Sequence, residues 1–442
     1  MKKVLILGYG ISGQAAARLA QFNGDLVTIL DEQDPAVPDS MERIPFWTPD
    51  VPLQTYDYAV ISPGISIFSP LADAVRKSGT PILGELEFAA QDLPCKLAAI
   101  TGTNGKTTTT ELTTALFQWS GFRCESAGNI GTALSDVALE LKKGLRKLDL
   151  LIVETSSFQL ESMNSYAPDA AAILNLASDH INRHGSMEGY ADAKFRIFRN
   201  MSADAPERIL NFNLLPEWEK RGFSGTPATF SADNPSADFY CKDGTFYFRG
   251  NEICKRSLCQ LEGAHNTENV LAALALFRAI AGDDALFSEQ IRETIGSFRP
   301  DRHRLECFAE QNGIRYIDDS KATNPHSVTA ALRTLGGDKN VLLLLGGSDK
   351  DMDFRCIAED RDKIKHAYLY GQTAKKIYQT LKDPLPCTVM ESFEDAVETA
   401  CRNAVPGDLV MLSPACASFD LFKSYKARGD RFQELVRQFL QK

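Results

Sequence analysis

The segment Thr101-Gly102-Thr103-Asn104-Gly105-Lys106-Thr107-Thr108 carries the residue types that bind a polyphosphate. Two close glycines let backbone N–H groups turn toward phosphate oxygens, Lys106 supplies a cation, and the Thr107 hydroxyl can ligate Mg²⁺. Ordinary phosphate loops have four residues between their glycines, whereas here only Thr103 and Asn104 stand between Gly102 and Gly105. The spacing therefore points to a shorter variant of the loop. The plain alternative is a tight strand-to-helix turn with an exposed lysine.

Two further residues have types suited to a metal. Glu154 follows the strand Leu148–Val153, where an acidic residue at a strand mouth binds Mg²⁺ in nucleoside-triphosphate enzymes; a helix cap is the other reading. His180, in Asn175-Leu176-Ala177-Ser178-Asp179-His180, reads either as a ligand of a divalent ion or as a structural hydrogen-bonder. Lys194 is harder to place, because an ammonium facing Mg²⁺ and a triphosphate is repelled. Spacing alone favours a surface lysine there. Asp301-Arg302-His303-Arg304 offers cationic forks for a triphosphate. Asp319-Ser320-Lys321-Ala322-Thr323-Asn324 and Gly346-Gly347-Ser348-Asp349-Lys350 place lysines at two strand ends. Singly these are solvated charges; at one sheet edge they would form a carboxylate pocket.

A second glycine loop, Gly8-Tyr9-Gly10-Ile11-Ser12-Gly13, lies between the strand Val4–Leu7 and the helix Gln14–Phe22, and Asp31 follows the strand Leu26–Leu30. A G-x-G-x-x-G loop with an acidic residue about 20 positions onward suits a nucleotide-like ligand. Ser62-Pro63-Gly64-Ile65 closes the next strand, Tyr58–Ile61.

These loops all need strand ends to hold them. The second unit has strands at Lys96–Ile100, Leu148–Val153 and Ala170–Leu174, with helices through about Trp119 and over Asn266–Ala281. The third has strands at Arg315–Ile317, Val341–Leu345, His366–Tyr370 and Leu409–Leu412. Alternating strands and helices predict mostly parallel α/β sheets, with ligands at the strand ends. Between Pro227 and Cys259 the pattern becomes alternating, with Asp243-Gly244 as a turn, which predicts a small antiparallel appendage. The expected plan is three α/β domains in series: a Rossmann-like domain at 1–93, a phosphate-loop domain at 94–299, and a Rossmann-like domain at 300–442. At roughly 150 residues per domain, a chain of 442 residues allows three.

Composition narrows the ligands. The formal net charge of −10 disfavours nucleic acid as a partner while leaving room for local cationic pockets. The longest apolar run, Val270–Phe277, is far short of the roughly 20 residues that span a bilayer, so no membrane partner is expected. Ten cysteines form no CxxC pair, which suggests a reducing cytoplasm and neither disulfides nor zinc.

Taken together, these segments resemble the Mur ligases, ATP-dependent amide ligases of peptidoglycan synthesis. The likeness runs from Gly8 to the final helix. Its marks are the Thr101–Thr108 loop, Gly128-Asn129-Ile130-Gly131, Glu154-Thr155-Ser156-Ser157-Phe158-Gln159-Leu160-Glu161, Gly263-Ala264-His265-Asn266-Thr267-Glu268-Asn269, the Asp319–Asn324 segment and Ser413-Pro414-Ala415-Cys416-Ala417-Ser418. The third and the last two resemble the branch that adds D-glutamate to UDP-N-acetylmuramoyl-L-alanine.

The resemblance implies roles. Ile11, Ser12, Asp31 and Gly64 become uridine-diphosphate contacts, with Asn129, Ser156 and Gln159 reaching the same substrate. ATP would lie between the second and third domains, with Gly102 to Thr108 at its phosphates, Asn266, Asn269 and His303 near adenine, Asp319 at the ribose and Arg304 near the γ-phosphate. Two Mg²⁺ are implied, one held by Thr107 and Glu154, the other by His180 and Lys194. The matching lysine of the family is carbamylated, which removes the charge objection. D-Glutamate falls to Lys321, Thr323, Lys350, Ser418 and Tyr425. Lys106, Glu154, His180, Lys194 and Arg304 form the implied catalytic set, acting in a cytoplasmic monomer. Two positions depart from the family's pattern: Asn182 stands where aspartate is common, and Tyr425 where phenylalanine is expected. Three rival readings remain: a dinucleotide-dependent oxidoreductase built on the opening loop, a nucleotide-binding regulator, and another Mur or folylpolyglutamate synthase-like ligase.

Overall fold

The computed structural model describes residues 1–31, 37–44, 47–48, 53–91, 93–129, 132–201, 208–299, 302–348 and 352–441 of the chain. Lys350 lies outside the described residues, as do Ile130, Gly131, Asp301 and Asp349. Among the described residues the strands form three sheets, and parallel pairing dominates each.

The first sheet is parallel throughout, in the order Glu42–Ile44, Leu26–Leu30, Lys3–Leu7, Tyr58–Ile61, Ile82–Gly84. Val4 to Leu7 are fully buried, as expected of a central parallel strand covered on both faces. The helix Ile11–Phe22 buries Gly13, three successive alanines from Ala15, Leu19 and Ala20. A Cβ on Gly13 would stand 1.8 Å from Gly8 O, so only glycine lets this helix start against the glycine loop.

The second sheet runs Asn251–Lys255, Thr245–Phe248, Phe239–Lys242, Ala228–Ser231, Arg208–Asn211, Ala170–Ile173, Lys96–Thr101, Leu150–Glu154, Cys124–Gly128. The expected antiparallel strands are present, as the edge of this central sheet. Asp243 and Gly244, both at positive φ, do turn Phe239–Lys242 into the antiparallel Thr245–Phe248, as a two-residue hairpin requires. Phe239–Lys242 also pairs in parallel with Ala228–Ser231, so the hairpin extends the central sheet. The partners Phe230 and Phe239 are close in sequence, but the pattern of neither strand specifies that they pair in parallel.

The third sheet has the order Glu306–Gln311, Ile314–Asp318, Leu409–Leu412, Val341–Gly346, Ile364–Tyr370, Cys387–Val389. Its first strand is antiparallel to its neighbour and was not anticipated; half-buried and mixed in polarity, it shows neither clean alternation nor an apolar run. Two apolar clusters cover the two faces of this sheet.

The chain forms two compact units: Met1–Leu176 with Arg183–Gln260 and Asn266–Phe298, and Ala177–Asn182 with Leu261–His265 and Arg299–Lys442. Within the first unit one apolar core joins Val4, Ile6 and Leu86 to Leu134, Val137 and Leu151. Among the described residues, no helix is long and apolar enough to cross a membrane.

Candidate active site

The phosphate-type loop begins where Lys96–Thr101 ends and gives way to the helix Lys106–Trp119. Gly105 caps that helix at φ +83°, and a Cβ there would meet Asn269 Oδ1 at 2.1 Å. The close approach sets Asn269 against the loop, and Asn269 in turn donates to Asn266 Oδ1 at 3.0 Å. Asn175 braces the loop from the adjacent strand end: its Oδ1 accepts from Asn104 N at 2.9 Å, its Nδ2 donates to Asn104 O at 3.0 Å, and its carbonyl accepts from Thr103 N at 3.1 Å. Lys106 is not the exposed lysine of the plain alternative. Its Nζ donates to Gly102 O and Thr103 O, both at 2.9 Å. Thr107 and Thr108 are buried.

Glu154 is the last residue of a buried strand and pairs in register with Ile100, just before the loop. It caps no helix; Ser156 does that for the short helix Ser157–Leu160, in a capping box with Gln159. Glu154 is 2% exposed. Its Oε1 accepts from Asn129 Nδ2 at 2.8 Å, while its Oε2 is buried with no hydrogen-bond partner among the described residues. A buried carboxylate oxygen without a donor is costly, and a cation beside the phosphate loop would offset that cost. The residue therefore fits a Mg²⁺ ligand.

Lys194 corrects the expectation from spacing. It is 1% exposed, on the inner face of the helix Met187–Phe195. Its Nζ donates to Gly102 O at 2.8 Å and lies 3.4 Å from Thr101 Oγ1 and 4.7 Å from the Tyr190 ring centroid. Tyr190 Oη is 3.1 Å from Thr103 Oγ1, which ties the same helix to the loop. An ammonium in this place donates and cannot ligate a cation; a carbamate on the same nitrogen could.

A cavity of about 610 Å³ opens in the first unit, lined by Ile11, Ser12, Asp31, Gly64, Asn129 and Gln159 together with Gly8, Ser62 and Ile65. Six of the seven residues expected at the uridine-diphosphate substrate thus share one hollow, and Ser156 caps the helix that carries Gln159. Asp31 Oδ2 accepts from Tyr9 N at 2.6 Å, so it shapes the glycine loop as well as the wall.

In the second unit, Asp318 and Asp319 end a strand of the third sheet and begin its polar rim. Asp319 Oδ2 accepts from Ser413 Oγ at 2.7 Å, and its Oδ1 from Leu305 N at 3.3 Å. Burial pushes its carboxyl up to about 7, against the opposing pull of Ser413 and the Arg304 guanidinium. Arg304 Nε is buried without a hydrogen-bond partner among the described residues. His303 sits at φ +67° with Nδ1 2.7 Å from Asp318 Oδ2, and that carboxylate raises its pKa. Gln433 Nε2 donates to both Asp318 and Glu306, closing the His303 cluster as a hydrogen-bonded knot. Lys321 Nζ stands 5.7 Å from the Tyr425 ring centroid, and Ser320 Oγ donates to Tyr425 O at 2.8 Å. Ser418 is buried and Thr323 half-buried. Arg428, fully buried, donates to carbonyls of Ser320 and Cys416 and to Ser320 Oγ, binding two of these strand-end loops together. His180, at φ +54°, belongs to this unit, with Nε2 3.6 Å from Asp179 Oδ2.

Asn175, Tyr190 and Arg428 were not singled out from sequence, because each acts on a partner 71 to 108 residues away.

The chain is similar to known proteins along nearly its whole length. Residues 100–277 match the Mur ligase middle domain, and residues 303–416 match the Mur ligase glutamate ligase domain. A UDP-N-acetylmuramoylalanine--D-glutamate ligase of Koribacter versatilis (strain Ellin345) is 38% identical over 453 residues, covering 99% of this chain and 97% of the relative. Its namesake from Alkaliphilus oremlandii (strain OhILAs) is 33% identical over 458 residues, covering 98% of each. The fold is shared with a pseudomurein peptide ligase type C from Methanothermus fervidus, at TM-score 0.62 and 16% identity over 99% of this chain and 100% of that one. It is shared as well with MurF ligase from Thermotoga maritima in complex with ADP, at TM-score 0.60 and 16% identity over 99% and 95%. Two matched domains and near full-length identity above 30% leave one conclusion: the chain belongs to the Mur ligase family.

Proposed function

We propose that this chain joins D-glutamate to UDP-N-acetylmuramoyl-L-alanine with cleavage of ATP to ADP and phosphate, in the cytoplasmic assembly of peptidoglycan precursors. The relatives that bear this activity in their names support the reading. The observation that carries it in the structure is Asn129. It lines the 610 Å³ cavity and donates to Glu154, so one side chain links the hollow read as the nucleotide-sugar site to the carboxylate beside the phosphate loop.

In this reading three modules divide the work: 1–93 and the cavity wall hold the nucleotide sugar, 94–299 holds ATP, and 300–442 holds the amino acid. The L-alanyl carboxylate forms a bond to the γ-phosphorus as the bond to the β,γ-bridging oxygen breaks and ADP leaves. The D-glutamate nitrogen then bonds the acyl carbon, a proton leaves that nitrogen, and phosphate departs. The chain's part is positioning and charge stabilisation. The Gly102 to Thr108 backbone orients phosphates; Lys106, at present turned onto loop carbonyls, exchanges them for phosphate oxygens. Asn266, Asn269, His303 and Asp319 serve the nucleoside, Arg304 the γ-phosphate, and Lys321, Thr323, Lys350, Ser418 and Tyr425 the amino acid. Bound Mg²⁺ would neutralise developing oxyanion charge, held by Thr107 and Glu154, with a second ion held by His180 and a carbamylated Lys194.

The test is phosphate release by the purified chain with UDP-N-acetylmuramoyl-L-alanine across a set of amino acids. Release requiring both the nucleotide sugar and D-glutamate is expected. A stronger response to another amino acid, or release indifferent to either substrate, overturns the reading.

A further inference from the structure

One fully engaged arginine lies outside every role assigned above. Arg183 projects from the short helix Ile181–His184 toward the loop Ser62-Pro63-Gly64-Ile65 of the first sheet. Its Nη1 donates to Gly64 O at 3.1 Å, and its Nη2 reaches Pro63 O at 3.1 Å and Ile65 O at 3.0 Å. Three successive carbonyls thus converge on one guanidinium. Behind it, Nε donates to Glu161 Oε1 at 3.0 Å, Nη2 reaches the same oxygen, and the guanidinium carbon lies 4.5 Å from the Phe158 ring centroid. Its side chain is 13% exposed and that of Glu161 3%. The opposite side of the loop is tied to the glycine loop, since Ser62 Oγ donates to Gly8 O at 2.9 Å.

The loop that Arg183 grips supplies Ser62, Gly64 and Ile65 to the 610 Å³ cavity, and the segment behind it supplies Gln159. The geometry points to Arg183 as a positioning residue for the nucleotide sugar: it holds the wall of the cavity in its binding shape without touching the ligand. This rests on the reading that the cavity takes the nucleotide sugar. A planar fork with five donors can hold three carbonyls, a carboxylate and an aromatic face at once. Lysine, with a single ammonium, cannot reproduce that set. Glu161 keeps the buried guanidinium compensated, so the two act as a pair. The role also has a direction: loss of the fork loosens one substrate's wall and leaves the phosphate loop, braced separately by Asn175, unaltered.

Steady-state kinetics on Arg183→Lys test it, with the two substrates varied in turn. Losing two or more charge-assisted hydrogen bonds should raise KM for the nucleotide sugar by about tenfold or more, with KM for ATP and kcat changed by less than about twofold. Arg183→Gly should show the same split and regain part of the lost affinity when guanidinium is added at concentrations the wild type tolerates. Glu161→Gln, which keeps the volume, gives a second variant with the same pattern should the arginine variants fold poorly. Equal changes in both KM values, or a fall in kcat alone, overturn the proposal. A control separates the underlying reading: Ser12→Trp should obstruct the cavity and raise KM for the nucleotide sugar. If it does not, the cavity assignment fails and the arginine role with it; if it does while Arg183→Lys behaves as wild type, the arginine role alone fails.

Discussion

Lys194 is buried beside the phosphate loop with its nitrogen on Gly102 O, and what it does depends on what that nitrogen carries. As an ammonium it would set a positive charge beside any Mg²⁺ bound at this loop. Reaction with carbon dioxide forms an N–C bond, releases protons and leaves an anionic oxygen pair. Lys194→Ala should therefore lose activity by about two orders of magnitude and recover part of it with added acetate or another short carboxylic acid. Full activity in that variant removes the carbamate role. Asp319 gives a second prediction at this scale. Its carboxyl is harder to ionise in the folded chain than in the unfolded one, because burial lifts it from 3.8 to about 7. Its own contribution to stability is then full below about pH 4 and is lost as pH rises toward 7. His303 acts in the same direction: its pKa is raised by Asp318, so its contribution is full below 6.5 and lost as pH rises through the higher folded value. Asp319→Asn removes the first effect. Urea denaturation should show the variant gaining on the wild type between pH 5 and pH 8, by roughly 3 kcal/mol at most; a constant difference across that range sinks the buried-acid account.

At the scale of elements, the phosphate loop is shaped by strand end, glycine and helix start more than by its charged residue. Gly105 occupies the left-handed region, and a Cβ would collide with Asn269. Gly105→Ala costs about 1–2 kcal/mol in backbone conformation alone and must also displace Asn269 from the loop. ATP affinity measured by calorimetry should fall at least about tenfold, with a lower melting temperature. Gly10→Ala, where φ is negative and nothing lies within 4 Å of the added carbon, should leave ATP affinity unchanged. Equal affinity in both variants would show that the glycine geometry does not govern the site. Much at this scale is readable from sequence, because strands such as Tyr58–Ile61, Val341–Gly346 and Leu409–Leu412 are apolar runs stopped by polar or glycine residues. The Asp243-Gly244 turn was readable for the same local reason. Local patterns could not reveal the grip of Asn175 on Asn104, of Tyr190 on Thr103, or of Arg183 on Gly64. Those partners are 71, 87 and 119 residues apart, and only the folded sheet order brings them together. The position of Lys194 is illegible for a related reason: a lysine's charge alone points to the surface, and its burial is decided by the Thr101–Gly102 turn it meets.

For the whole molecule, sheets and cooperative units differ in number. The first and second sheets share one apolar core, and the join is reinforced where the helix Ile11–Phe22 meets Leu134–Lys142. Arg18 holds Asp136 through two hydrogen bonds of 3.0 and 2.8 Å. Glu85, buried at the start of the helix Glu85–Ala90, accepts from Ser135 N at 2.8 Å, and Glu87 accepts from the Asn164 and Ser165 backbone. Buried carboxylates whose donors, Ser135, Asn164 and Ser165, belong to the neighbouring module leave a large penalty if the modules part. The third sheet is covered on its two faces by clusters of its own. Three sequential motifs should therefore melt as two units. Calorimetry of the full chain is expected to resolve two transitions, and residues 1–93 expressed alone should show no cooperative one, because the faces carrying Leu86, Phe88 and Ala89 would be left in water. ADP should raise the transition of the first unit, as any ligand bound only to the folded form does, through the phosphate loop that unit contains. Three separable transitions, or a fragment 1–93 that melts cooperatively near the full chain's own temperature, would show that the shared core does not couple the first two sheets.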